Sequence, residues 1–266
     1  MLWMSHFWDS SQIAGAANNE ARSPKPEAPA TRESRVRSTG VNPIRVFNGP
    51  TSLDLRRGED WAWIGLASDD GLNRLRMDLL KALDLLFLEL RWSGVRRICL
   101  SDAGWMQGSG LNFCAGADLN EVSMLQAITA DAFARRGQRV MEHLLWPGWH
   151  SLTLISGAAM GGGCDLAVSG QERWGIDADA ESPSGRGAFN LAHPAALHGI
   201  LTGFGGTVRL VEVLGETGAD RLFQGLERWD ARQALEAGAI QRRLKPEDAR
   251  GAVECYLIPT SFSPAH

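Results

Sequence analysis

The chain lacks most of the features that mark the more specialised classes of protein. Its four cysteines, Cys99, Cys114, Cys164 and Cys255, form no CxxC pair and have no histidine at metal-ligand spacing. We therefore expect no metal site and a reduced, cytoplasmic protein. The net charge of -4 at pH 7 gives no general basic field, so we do not expect the chain to bind nucleic acid.

Long apolar runs and a signal sequence are also missing. Residues 1–10 contain neither a basic region nor an apolar run long enough to span a membrane, so no membrane partner is predicted. Residues 21–34 are rich in proline and charge, which predicts a disordered tail over residues 1–43. The length of 266 residues then favours one main domain over residues 44–244, followed by a short C-terminal helix and tail over residues 245–266.

Short apolar runs and amphipathic stretches alternate along the main domain. The apolar runs at 61–68, 95–101 and 151–156 have the length of buried strands. Between them, leucines recur at helical spacing over 77–90, and a second helical pattern covers 130–145. Strands that alternate with helices in this way form parallel sheets with crossover helices. The sequence therefore predicts an α/β fold.

The C-terminal part of the chain has its own start and stop signals. Asp230 is a suitable N-cap and Gly238 a suitable stop for a helix between them. We expect a strand over residues 239–242 after this helix, and a last helix over residues 247–257.

Two glycine-rich segments carry most of the functional information. FCAGAD occupies residues 113–118 and SGAAMGGGCD occupies residues 156–165, and each has the pattern of a junction between a strand and a helix. Glycine at such a junction lets a ligand approach the backbone N–H groups, because no Cβ stands in the way. Two such turns side by side would hold a developing negative oxygen between two amide donors. The segments therefore indicate an enzyme that acts on acyl thioesters.

Other interpretations of the same segments stay open. Cys114 and Cys164 lie inside the turns, so a nucleophilic thiol is an alternative to two packed, inert cysteines. The glycines also suit close packing of a helix on a strand, or a nucleotide-binding turn. Neither 161–163 nor 203–206 completes a GxGxxG pattern at such a turn, which argues against a nucleotide-dependent oxidoreductase.

Four segments together resemble the enoyl-CoA hydratase/isomerase family, which has the crotonase fold. In the order and spacing of that family they are FCAGADL at 113–119, GAAMGGGCDLA at 157–167, GFGGTVRL at 203–210 and ALEAGAI at 234–240. The resemblance implies a crotonase-like spiral of ββα units that binds an acyl-CoA or another acyl-carrier thioester. Coenzyme A would be part of the substrate, with no separate cofactor. A homotrimer or a hexamer is also implied.

The resemblance further implies roles for individual residues. It places the two amide donors at Ala117 and Gly162, on either side of the thioester oxygen. The path of the coenzyme A moiety would be lined by Ala115, Gly116, Asp118, Leu119 and Gly161.

Two positions depart from the pattern of the resembled hydratases, which use two glutamates to activate water and to deliver a proton. The first glutamate is replaced by Asp165, whose shorter side chain reduces the reach by about 1.5 Å, the length of one carbon–carbon bond. The second falls at Ala195, which cannot titrate, and no Asp or Glu occurs from residue 182 to residue 211. His198, and secondarily His193, can take over as acid or base because imidazole titrates near neutral pH.

We therefore predict an enzyme that stabilises a thioester enolate, with Asp165 as the one motif-placed carboxylate. Such a site suits isomerisation, decarboxylation or another one-base reaction better than hydration, because an enolate can proceed to several products. The alternative is a non-catalytic or degenerate acyl-CoA-binding helper subunit. Two features motivate this alternative: Ala195 in place of a carboxylate, and a C-terminal helical region shorter than that of the resembled enzymes.

Overall fold

The computed structural model describes residues 42–177, 188–224 and 227–259 of the chain, with only the backbone of His198. Residues 1–41 of the predicted tail over residues 1–43 lie outside the described residues. The division of the chain into a tail, a main domain and a C-terminal helix stays a prediction. No helix in the described ranges is long and apolar enough to cross a membrane.

The described residues form strands and helices in alternation. The strands are β1 (Ile44–Phe47), β2 (Ser52–Arg57), β3 (Trp61–Ala67), β4 (Arg97–Asp102), β5 (His150–Ile155), β6 (Ala158–Met160), β7 (Glu172–Ile176), β8 (Asn190–Ala192), β9 (Arg228–Trp229) and β10 (Arg242–Leu244). The α-helices are α1 (Met77–Trp92), α2 (Leu119–Ser123), α3 (Ala127–Leu144), α4 (Gly162–Val168), α5 (Gly206–Phe223), α6 (Ala231–Glu236) and α7 (Pro246–Leu257). Short 3-10 helices cover Ala103–Gln107 and Pro194–His198.

The strands form a large sheet and a small one. The large sheet has the order β1-β2-β3-β4-β5-β7-β10, with antiparallel pairs at the β1 end and parallel pairs from β3 to β10. Helices α1 and α3 belong to the connections between its neighbouring parallel strands, as expected of crossover helices. The small sheet has the order β6-β8-β9. The predicted α/β fold is confirmed.

The large sheet is covered on both faces. Along β3, Ala62, Ile64 and Leu66 belong to one hydrophobic cluster, whereas Trp61 and Trp63 belong to another. This alternation follows from the pleat, which turns successive side chains to opposite faces. The larger cluster includes the buried leucines of α1, and the smaller one includes apolar residues of α7.

Buried ion pairs hold the helices in place. Asp84 of α1 lies with its Oδ1 atom 2.9 Å from His143 Nε2 of α3, and Arg136 also contacts this carboxylate. On the other face, Arg56 of β2 lies 3.3 Å from Glu254 of α7. Such pairs specify which helix faces meet, because a buried charge without its partner is costly. His143 is therefore a structural residue here.

The sequence places most elements well and one poorly. Helix α6 has Asp230 as its N-cap, and Gly238 follows its end with a left-handed φ of 79°, as predicted. The strand predicted over residues 239–242 is wrong, because β10 covers Arg242–Leu244. Ala239 and Ile240 instead donate their amides to the carbonyl of Ala234 and close the turn after α6.

The two glycine-rich segments pack closely against each other. A Cβ on Gly163 of α4 would overlap the carbonyl group of Cys114, and this backbone cannot move aside as a flexible side chain would. Gly251 of α7 also lies in a helix, but its missing Cβ would meet no atom within 4 Å.

We expect Gly163→Ala to lower the free energy of unfolding by about 2 kcal/mol, because the added methyl group overpacks a backbone contact. The matched variant Gly251→Ala should raise it by about 0.5–1 kcal/mol, since alanine loses less entropy in a helix. Urea unfolding followed by circular dichroism measures both changes. Equal effects of the two substitutions would contradict the close packing of the two segments.

Candidate functional site

The two glycine-rich segments lie side by side, joined by backbone hydrogen bonds. The amide of Cys114 donates to the carbonyl of Ala158 at 2.9 Å, and the amide of Met160 donates to the carbonyl of Cys114 at 3.0 Å. This is the pairing of a short parallel bridge, continued at one end by the Phe113 amide, which donates to Ser156. The predicted meeting of the two turns is therefore present in the fold.

The first turn passes directly over the start of α4. Gly116 has a left-handed φ of 96°, and a Cβ there would lie 2.5 Å from the carbonyl oxygen of Met160 and 3.5 Å from the amide nitrogen of Gly162. A side chain at Gly116 would therefore separate the two turns and block their shared edge.

Most amides of the first turn are already bonded within the protein. Ala115 donates to Leu72, Asp118 donates to Leu75, and the Leu75 amide donates in turn to Gly116. Ala117 is different, because its amide has no acceptor among the residues that the structure describes. Ala117 itself is half-buried.

The second turn has a similar pattern. Gly161 donates its amide to Ala192 at 2.9 Å, and its carbonyl accepts from Cys164 and Asp165. The amide of Gly162 donates to no acceptor within the described ranges, and this residue too is half-buried. Thus each turn contains one half-buried residue, Ala117 or Gly162, whose amide donates to no acceptor among the described residues.

Hydrogen bonds of the Asn73 and Asn112 side-chain amides hold the first turn in place. The Nδ2 atom of Asn73, a buried residue with a φ of 49°, donates to Asp102 Oδ2 at 3.0 Å and to the Asn112 carbonyl at 2.8 Å. Asn112 in turn accepts from the Ala158 amide at 2.9 Å. Burial raises the pKa of Asp102, and the hydrogen bonds from Asn73 and from the Gly104 amide offset part of this rise.

The side chain of Asp118 caps helix α2. Its carboxylate accepts from the amides of Asn120 and Glu121 and lies 3.0 Å from Arg76. Partial burial favours a higher pKa for Asp118, but the Glu121 amide and the Arg76 guanidinium outweigh it and hold the pKa below its usual value. Leu119 is exposed beside it, so the apolar part of this predicted path is accessible.

Asp165 lies at the centre of a buried polar cluster. Its side chain is only 1% exposed, and one oxygen accepts a short hydrogen bond from the Thr202 hydroxyl. The other oxygen, Oδ1, lies 3.1 Å from His193 Nε2. Although these two atoms are within ion-pair distance, they are not aligned for a hydrogen bond, and neither has another partner in the described part of the chain.

A glycine makes room for this carboxylate. Gly206 begins α5, and a Cβ there would overlap Asp165 Oδ1. The loop before α5, residues 199–205, also contacts α3. Gln138 of α3 donates to the Gly203 carbonyl at 2.8 Å, and Gly137 leaves room for the Phe204 ring.

The remaining predicted acid–base positions lie on the 3-10 helix at Pro194–His198. Ala195 is half-buried there, and the side chain of His198 is outside the described residues. The residue that sequence reasoning underrated is His193, which directly precedes this helix and contacts Asp165. The sequence signal for His193 was a titratable side chain two positions before Ala195. Only the fold shows that this side chain lies beside the Asp165 carboxylate.

The thiols in the turns are inert packing groups. Cys114 and Cys164 are fully buried. Burial raises the pKa of Cys114 to about 12, with a further contribution from the charge of Asp165, and burial also raises the pKa of Cys164. The thiolate is the nucleophilic form, so these groups are poor nucleophiles.

The fold and the paired turns define an α/β protein in which two glycine-rich segments lie side by side. The chain belongs to the enoyl-CoA hydratase/isomerase family, whose model matches residues 105–250.

Two relatives of this chain are named for different reactions. A short-chain-enoyl-CoA hydratase of Clostridium acetobutylicum is 30% identical over 66% of this chain and 62% of its own length. An ethylmalonyl-CoA decarboxylase of Mus musculus is 29% identical over 56% of this chain and 46% of its own length. The chain therefore spans about half to three-fifths of these relatives.

Solved structures show the same fold. DspI of Pseudomonas aeruginosa superposes with a TM-score of 0.66 and 26% identity, over 82% of this chain and 75% of that protein. An enoyl-CoA hydratase of Thermoplasma volcanium has a TM-score of 0.65 at 23% identity, over 76% of this chain and 74% of that one. The predicted crotonase fold is confirmed.

We expect a thiol reagent such as Ellman's reagent to modify one cysteine of the native protein at pH 8 and four in denaturant, because Cys255 is the exposed thiol. Cys255→Ser should remove the fast native reaction. Rapid native modification of Cys114 or Cys164 in that variant would contradict the buried, protonated state and restore the nucleophilic interpretation.

Proposed function

We propose that this chain is an acyl-CoA thioester enzyme that stabilises an enolate between the amides of Ala117 and Gly162. One observation carries the proposal: these two N–H groups belong to half-buried residues of adjacent turns and have no acceptor in the described residues. Removal of a proton or a carboxyl group next to a thioester places negative charge on the thioester oxygen. Two fixed amide donors stabilise that charge without rearranging, because the fold has already oriented them.

The substrate class follows from the family. The named relatives are a hydratase and a decarboxylase whose substrates are both coenzyme A thioesters. The shared part of these substrates is the thioester, and the paired turns suit that part. Coenzyme A is then a portion of the substrate. Ala115, Gly116, Asp118, Leu119 and Gly161 are the residues that we propose to line its path.

The acid–base groups favour a one-base reaction over hydration by two carboxylates. Asp165 is buried beside the second turn, whereas Ala195 offers no titratable group. A decarboxylation or an isomerisation needs the enolate to be held and one proton to be moved, which a single acid–base cluster can do. The enzymatic names of the relatives do not favour the alternative of a non-catalytic binder. Assembly into trimers or hexamers and a cytoplasmic location stay predictions.

Replacing Gly162 tests the donor directly. We expect Gly162→Pro to lower kcat/KM by about 10²–10³-fold, the usual cost of one lost donor in such a site. Gly162→Ala is the matched control, because it keeps the N–H group while its Cβ meets the same neighbour, the Phe204 ring, at 2.8 Å.

The activity is measured with a panel of acyl-, enoyl- and carboxyacyl-CoA thioesters. Mass spectrometry detects decarboxylation, hydration or α-carbon deuterium exchange in D₂O. Circular dichroism establishes that each variant is folded. Equal turnover by the folded proline and alanine variants would contradict a role for the Gly162 amide, and no reaction by the native protein with any thioester would contradict the proposed enzyme.

A further inference from the structure

The position of Asp165 argues against direct contact between its carboxylate and a substrate. The Thr202 hydroxyl donates a hydrogen bond to one of its oxygens. The other oxygen lies beside His193 Nε2 and close to Gly206. Both oxygens therefore face protein groups.

His193 is the next titratable group from this carboxylate. Its side chain is 4% exposed, its Nε2 atom faces Asp165 Oδ1 at 3.1 Å, and its ring lies 5.1 Å from the Phe223 ring. Among the described residues, Asp165 is the one titratable side chain within ion-pair distance of the imidazole. A carboxylate beside one ring nitrogen favours a proton on that nitrogen and leaves the lone pair on the other, Nδ1.

The arrangement has the order hydroxyl, carboxylate, imidazole. Thr202 fixes Asp165, and Asp165 faces His193. The imperfect alignment of the last pair does not count against a role, because hydrogen bonds of this kind often tighten only in the complex with substrate. Ala195, two residues after His193, lacks a long side chain that would compete for the same space.

We infer that His193 is the acid–base residue of this site, with Asp165 and Thr202 as its positioning residues. The inference rests on the proposed enolate chemistry. The α-carbon–hydrogen bond of the acyl thioester breaks, its electron pair enters the enolate held by the amides of Ala117 and Gly162, and the proton moves to His193 Nδ1. The imidazolium, stabilised by Asp165, then returns a proton to the carbon. No oxidant or further reactant is needed.

The test is the exchange of α-protons of butyryl-CoA in D₂O, followed by mass spectrometry. His193→Gln should lower the exchange rate at least about 10²-fold, the smaller of the usual contributions of a general base, with little change in butyryl-CoA affinity by calorimetry. His150→Gln is the matched control, because His150 is an exposed histidine on β5, and it should exchange at the native rate.

Two substitutions at Thr202 separate positioning from packing. Thr202→Val keeps the shape but removes the hydroxyl, and we expect it to slow the exchange about tenfold, within the range of one lost hydrogen bond to a charged group. Thr202→Ser restores the hydroxyl and should restore most of the rate. Equal rates for the two variants would overturn the positioning role.

The outcomes distinguish this inference from the proposed function. Exchange that Gly162→Pro abolishes but a folded His193→Gln protein retains would overturn the role of His193 and leave the enolate site in place. A native protein that exchanges no protons of butyryl-CoA and transforms none of the other thioesters would overturn both.

Discussion

The close approach of two backbone turns is the constraint on which the rest of the site depends. Gly116 and Gly163 each lie where a Cβ would collide with the backbone of the other turn. The bridge between Cys114 and Ala159 fixes their register, so nearly every amide around them has a partner. The amides of Ala117 and Gly162 have no acceptor among the described residues, whereas those of several neighbours are paired. The two donors that we propose thus depend on how the turns pack.

Burial supplies both the rigidity and the chemical character of this region. Asn73 and Asn112 tie the first turn to its surroundings through buried hydrogen bonds, which are strong where water cannot compete. The same exclusion of water keeps the thiol of Cys114 protonated and so removes it as a nucleophile. Low polarity therefore argues against Cys114 as the reactive group of the turns.

Local signals in the sequence predicted the turns and the helices, whereas contacts between distant segments were beyond it. Leucine spacing predicted α1, and an aspartate and a glycine predicted the ends of α6, because each signal acts within a few residues. The start of β10 was missed, since Ala239 and Ile240 are as apolar as a strand but close a turn onto Ala234. The pairing of His193 with Asp165 was also missed, because the sequence alone does not show which segments pack against α4.

The loop before α5, residues 199–205, contacts both parts of the proposed site. Its Phe204 ring packs against Gly162, where one donor lies, and Gly206 and Thr202 contact the Asp165 carboxylate. Helix α3 holds the loop through Gln138 and through the space left by Gly137. A shift of the loop would move the ring beside the donor and the hydroxyl beside the carboxylate together. One loop therefore contacts both a proposed donor and the Asp165 carboxylate, so we expect substitutions in α3 that touch neither group to affect both.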